Sequence, residues 1–219
     1  MFPDTARAAL LGQLTALAVD VQALPDVRQV SVYRAVLVPP VPAAAQDVLR
    51  PARFDVAVLI ETASPDLLAA VRDAPQVARI FAALQAASSN VHVLAVRCAR
   101  YLGPVERTRQ GLFLFNHFTA LSDEVDVELA TALWEHLAAW YAAETGLTNS
   151  TLLAPAGGSD YLFVNHARWD IGLPRLAVAQ FAQRTFRSYV LANLRANQIV
   201  ARPVLDRLAW PIANQRRAS

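Results

Sequence analysis

The hydrophobic pattern of the chain spells nearly the same order of elements twice, and this repetition constrains the fold more than any other feature of its 219 residues. In the first half, residues 4–24 place Ala9, Leu10, Leu14, Leu17 and Val21 at helical spacing, with Pro3 and Asp4 at the start and Pro25-Asp26 at the end. Residues 27–38 alternate apolar and polar side chains as a strand does, and 54–60 form a dense apolar run of strand length. Ser64-Pro65 opens a helix that continues toward Ala87 with a bend at Pro75, and 91–96 form the next strand. Between them, 39–51 are rich in Pro and Ala and read as a loop. This half is α-β-β-α-β.

The second half opens with a strand at 112–120, followed by a helix at 126–145 whose apolar stripe is Ala130, Leu133, Trp134, Leu137 and Tyr141. Ser122-Asp123-Glu124 and Asp126 suit the start of this helix and Gly146 its end. Strands at 150–153 and 161–164 flank the turn Pro155-Ala156-Gly157-Gly158. A helix at 173–197 changes its apolar side near Tyr189, and a last strand at 200–210 is expected at a sheet edge or with a bulge because of Pro203. The order is β-α-β-β-α-β. The helix at 126 answers to the one at 4, and the strand at 161 answers to the one at 54 at an offset of roughly 107 residues. Halves 1–103 and 111–219 are joined by a polar linker at 104–110. The first half lacks an opening strand. In a split β-α-β unit that strand lies in the sheet centre, so an upstream segment or another strand is expected to fill the gap.

The repeated order, the strand motif Phe115-Asn116-His117-Phe118 and the helix Leu133-Trp134-Glu135-His136-Leu137 resemble the dimeric α+β barrel superfamily. Within it, the stress-responsive A/B barrel proteins in a fused two-repeat form are most similar. The resemblance implies an α+β fold in which two ferredoxin-like sheets pack face to face into a pseudo-symmetric barrel with helices outside. One chain then replaces the homodimer of single-repeat relatives, and the protein is expected as a monomer or homodimer. The superfamily includes cofactor-free oxygenases, polyketide cyclases, haem enzymes and proteins without known activity, so the fold alone does not choose among them.

The chemistry is expected where the strands beginning at 112 and 161 lie side by side, as parallel neighbours in the sheet centre. Alternation sends Asn116 with Asn165 and Trp169 to one face, and His117 with His166 and Arg168 to the other. His117 and His166 are the candidate catalytic residues, since imidazole exchanges protons near neutrality. Asn116, Asn165, Arg168 and Trp169 are the candidate substrate-binding residues. A small apolar ligand, aromatic or polyketide-like, is expected if a cavity of about 300 Å³ or more reaches either histidine; a filled interior points to an interaction protein whose polar groups only organise the core. The first half has Leu59-Ile60 at the position of Asn165-His166, so it is expected to act as scaffold. His92 and His136 are expected at the surface.

Composition narrows the partners. Apolar residues make up 55% and charged residues 17%, enough apolar content for a sizeable core. No apolar run has the roughly 18–20 residues of a membrane span and no signal sequence opens the chain, so a soluble cytoplasmic protein without membrane contact is expected. All twenty basic residues are arginine, scattered apart from Arg216-Arg217, and the net charge is +2, which argues against nucleic acid. The lone Cys98 lies in an apolar run and is read as a buried thiol. No spacing supplies a third ligand to the histidines for a metal, and no cofactor motif occurs, so neither is expected.

Overall fold

A computed structural model describes residues 4–40, 54–88, 90–122 and 124–210. Asp123, most of the proline-rich loop and the Arg216-Arg217 tail lie outside the described residues. The fold is α+β: the described residues form a single antiparallel sheet of seven strands, curled like part of a barrel, with six α-helices. The elements are α1 (Asp4–Gln22), β1 (Val27–Leu37), β2 (Val56–Thr62), α2 (Leu68–Arg72), α3 (Pro75–Ala87), β3 (Val96–Gly103) and β4 (Leu112–Ala120). They continue with α4 (Val127–Thr145), β5 (Ser150–Pro155), β6 (Phe163–Trp169), α5 (Leu173–Phe181), α6 (Ala192–Ala196) and β7 (Ile199–Trp210). Across the sheet the order is β2-β1-β7-β4-β6-β5-β3.

Local chemistry sets most boundaries. Ser64 accepts a hydrogen bond from the Asp66 amide and Pro65 begins the turn before α2, while Pro75 starts α3 after a break at Asp73-Ala74. Asp126 caps α4, and Gly146 ends it in the left-handed conformation at φ 68°. The expected long C-terminal helix stops at Phe181, breaks at Ala182-Gln183 and resumes through a π-helical turn at Phe186–Leu191 that rotates its apolar side near Tyr189. On the helix side of the sheet, α1 and α3 bury Leu10, Leu14, Val21, Val77 and Ile80 against β1. There too, α4 buries Leu133, Trp134 and Leu137 against Phe118, Leu152 and Phe163.

Four expectations are corrected. First, β4 and β6 are adjacent but antiparallel. Helix α4 returns the chain so that β5 runs parallel to β4, and the β5–β6 hairpin then reverses β6 and inserts it between them. Second, β7 is not an edge strand, because it lies between β1 and β4. Pro203 is accommodated because the β1 ladder covers only Leu205 to Trp210, so the missing N–H breaks no bond to β1. Third, β3 begins at Val96, where the β5 ladder starts, so 91–95 are not ladder-paired and Cys98, on this edge strand, is exposed. Fourth, the 104–110 segment is more than a solvated linker: Arg107 is buried and forms an ion pair with Glu61 at the end of β2.

Candidate functional site

The sheet register decides which side chains meet. Asn116 lies opposite Asn165, so both face the helices, as alternation requires. His117 and His166 share the inner face of the curl. They occupy one diagonal of a square whose other corners are Phe115 and Val164, because His117 is opposite Val164 and His166 opposite Phe115. Around them on this face stand Tyr33 from β1, Phe113 from β4, and Arg202, Val204 and Asp206 from β7.

His166 is locked. Its Nδ1 lies 3.1 Å from the Leu114 carbonyl, which only accepts, so the proton sits on Nδ1 and Nε2 receives the Tyr33 hydroxyl at 3.3 Å. The ring stacks on Phe115 at 4.3 Å and meets the Tyr33 ring edge-on at 5.6 Å. Burial, reinforced by the charge of Arg107, lowers its pKa to about 3 against the opposing pull of the carbonyl bond. Such a side chain is a neutral core group at neutral pH.

His117 is held on one side only. Nδ1 donates to the Arg202 carbonyl at 3.4 Å, Nε2 has no hydrogen-bond partner among the described residues, and the ring lies 5.2 Å from Phe54 and 5.0 Å from Tyr161. Its pKa falls to about 4, mainly through burial, with further lowering by the charges of Arg202 and His92. A neutral imidazole with its Nδ1 proton fixed offers Nε2 as a hydrogen-bond acceptor.

The remaining candidates turn inward to the protein. Asn165 accepts from Ser150 Oγ at 2.6 Å, and Trp169 Nε1 donates to Thr145 Oγ1 at 3.1 Å on the helix side. Asn116 is half-buried, and its Oδ1 has no partner among the described residues. Arg168 donates to the Gln110 carbonyl at 2.8 Å and to Asp170 at 2.6 Å, while Asp170 also receives Arg109 through both oxygens. Gly111 makes room for that guanidinium: a Cβ there would meet Arg168 Nε at 2.5 Å and Cγ at 3.1 Å. Gly111→Ala is expected to cost about 1–3 kcal/mol by forcing Arg168 out of place, measured by urea unfolding. A variant as stable as the wild type would mean that Arg168 has other room.

A cavity of about 560 Å³ opens onto this face. It runs along β2, beneath α2 and α3 and past residues 88–96, to Phe115, His117 and Val164. Its wall is largely apolar and comes mostly from residues 54–96, so the first half forms much of the space reached by His117. His92 lies at its rim, exposed and 6.0 Å from Phe54, whereas His136 is exposed on α4. Of the six candidate residues only His117 lines the cavity. Sequence reasoning missed Tyr33, Arg107, Arg202 and Asp206. Asp206 did leave a signal, an acid in the apolar strand at the same alternation as Val204 and Leu208. Among the described residues no group of three or more His, Cys, Asp or Glu could hold a metal ion, and no helix is long and apolar enough to cross a membrane. The chain matches none of the known protein-family models, and no curated protein matches it.

Proposed function

We propose that the chain is a small-molecule-binding α+β barrel of the stress-responsive A/B type, made of two ferredoxin-like repeats. Strand order supports this. The second half has the order β7-β4-β6-β5, and β3, a place that no described residue fills, β2 and β1 repeat the same sequence of positions.

The observation that carries the ligand reading is the 560 Å³ apolar cavity ending at the unengaged Nε2 of His117. The ligand is apolar, aromatic or polyketide-like, and bears an O–H or N–H donated to that nitrogen. A pKa near 4 makes the imidazole a weak base in the empty pocket, so anchoring is better supported than proton abstraction. A cofactor-independent oxygenase or cyclase requires the ligand to raise that pKa. His166, with both nitrogens engaged, positions the core beside the site.

A thermal-shift screen of phenolic and polyketide-like compounds on wild type, His117→Ala and His166→Ala tests the proposal. A ligand about 100-fold above its Kd should raise the wild-type Tm by about 5–10 °C. His117→Ala should lose most of that shift and His166→Ala should keep it. Equal shifts in wild type and His117→Ala would remove His117 from the site.

A further inference from the structure

All six ladders of the sheet are antiparallel, so the two outer strands, β2 and β3, six steps apart, run in the same direction. Seven strands cannot close an antiparallel barrel, because the seam would bring two parallel strands together; one more strand, antiparallel to both, resolves it. The two edges border one cavity, whose wall includes Val56–Ile60 of β2 and Val96 of β3.

The β2 edge carries the means to hold such a strand. The Asp55 carbonyl accepts from the Ala35 amide at 2.9 Å, so by alternation residues 55, 57 and 59 bond to β1 while Val56, Val58 and Ile60 direct their N–H and C=O groups toward the gap. Among the described residues nothing pairs with them. Every residue of β2 is partly exposed, although its sequence, Val56-Ala57-Val58-Leu59-Ile60, is that of a strand covered on both faces. The gap itself is apolar on both sides: Val71, Val77 and Ile80 toward the helices, Phe115 and Val164 toward the interior.

We propose that this slot receives an eighth strand from a partner polypeptide: an extended, uncharged segment of about seven residues, matching β2 in length and apolar on both faces. Neither 41–53, with Asp47, Arg50, Arg53 and two prolines, nor 211–219, with Arg216 and Arg217, has the uncharged composition the slot calls for. A strand there closes the seam and turns the open cleft beside His117 into an enclosed chamber. The proposal rests on strand direction and edge chemistry and stands whether or not a small molecule binds.

The probe is a synthetic peptide with a central Val/Ile/Leu/Thr run and charged residues only at its ends, compared with a peptide carrying proline at alternate central positions. Binding is expected to slow amide hydrogen exchange at Val56, Val58 and Ile60 and to reduce the reaction rate of Cys98 with a thiol reagent by about tenfold or more. The proline peptide should do neither, having lost the N–H groups that pair with the β2 edge. Three outcomes overturn the proposal: no binding at millimolar peptide, equal protection by the proline peptide, or protection of both edges by self-association of the protein without peptide. If protection appears while the phenolic screen finds nothing, the strand slot stands and the ligand reading falls.

Discussion

Asp206→Asn is expected to remove the contribution by which this one carboxyl lowers stability as the pH rises from about 4 to about 8. Asp206 is 1% exposed on the inner face of β7, and its Oδ2 has no hydrogen-bond partner among the described residues. Burial raises its pKa from 3.8 to about 8. The folded state therefore keeps this proton where the unfolded state has released it. A carboxyl whose folded pKa is raised contributes its stability below the unfolded value, and that stability is lost as the pH climbs through the window to the folded value. The slope approaches 1.4 kcal/mol per pH unit, so the whole window is worth on the order of 3–6 kcal/mol. Urea unfolding of both proteins at pH 5, 7 and 8.5 reads the effect as a difference, which cancels every other titrating group. Asparagine should gain on aspartate at each step. Parallel pH profiles for the two proteins would show that Asp206 ionises normally in the fold.

The elements that were legible in the sequence are those whose period is enforced by a core on one side. The stripe of Leu133, Trp134 and Leu137 placed α4, and the alternation of β4 and β6 correctly separated the Asn116–Asn165 face from the His117–His166 face. Alternation says nothing about strand direction, which the return path of α4 and the β5–β6 hairpin decide. The apolar run 91–99 was misread for a similar reason. Such a run implies cover on both faces, but 91–95 are not ladder-paired and β3 is an edge, so Cys98 is left exposed. Pro203 misled in the other direction: its cost depends on which neighbour is present at that rung, and the β1 ladder does not reach it.

The candidate site was half legible. Histidine in a strand marks a polar group facing a core, but the sequence does not say what fills its nitrogens. Tyr33 and the Leu114 carbonyl take both nitrogens of His166, while His117 keeps Nε2 open only because the β2–β3 gap leaves space beyond it. The cavity lies along β2, and Leu59-Ile60, which looked like scaffold, forms part of its wall.

On the acid side the two histidines are expected to dominate. Both are neutral in the fold, with pKa lowered from 6.5 to about 4 for His117 and to about 3 for His166, chiefly by burial. The unfolded chain takes up these protons first as the pH falls. Their stabilising contribution is therefore complete above about pH 6.5 and is lost toward pH 4 and pH 3 respectively. Together they remove up to about 2.7 kcal/mol per pH unit below pH 6 while the buried Asp206 returns up to about 1.4, so stability should fall by about 1.4 kcal/mol per pH unit and by roughly 3 kcal/mol in all by pH 4. That is a sizeable part of the stability of an ordinary domain, so the protein should unfold at clearly lower urea at pH 4 than at pH 6.5. His117→Asn and His166→Asn keep an amide group near Nδ1 and remove the titration. Each is expected to remove about 1.4 kcal/mol per pH unit between pH 6 and pH 5 and so to leave the slope close to flat, whatever it costs in stability at pH 7. The slope, read from urea midpoints and m values, separates this effect from lost packing, which shifts all pH values alike. A single variant with the full wild-type slope would show that its histidine already carries the proton in the fold. For His117 that result would also restore the proton-transfer role that a pKa near 4 disfavours.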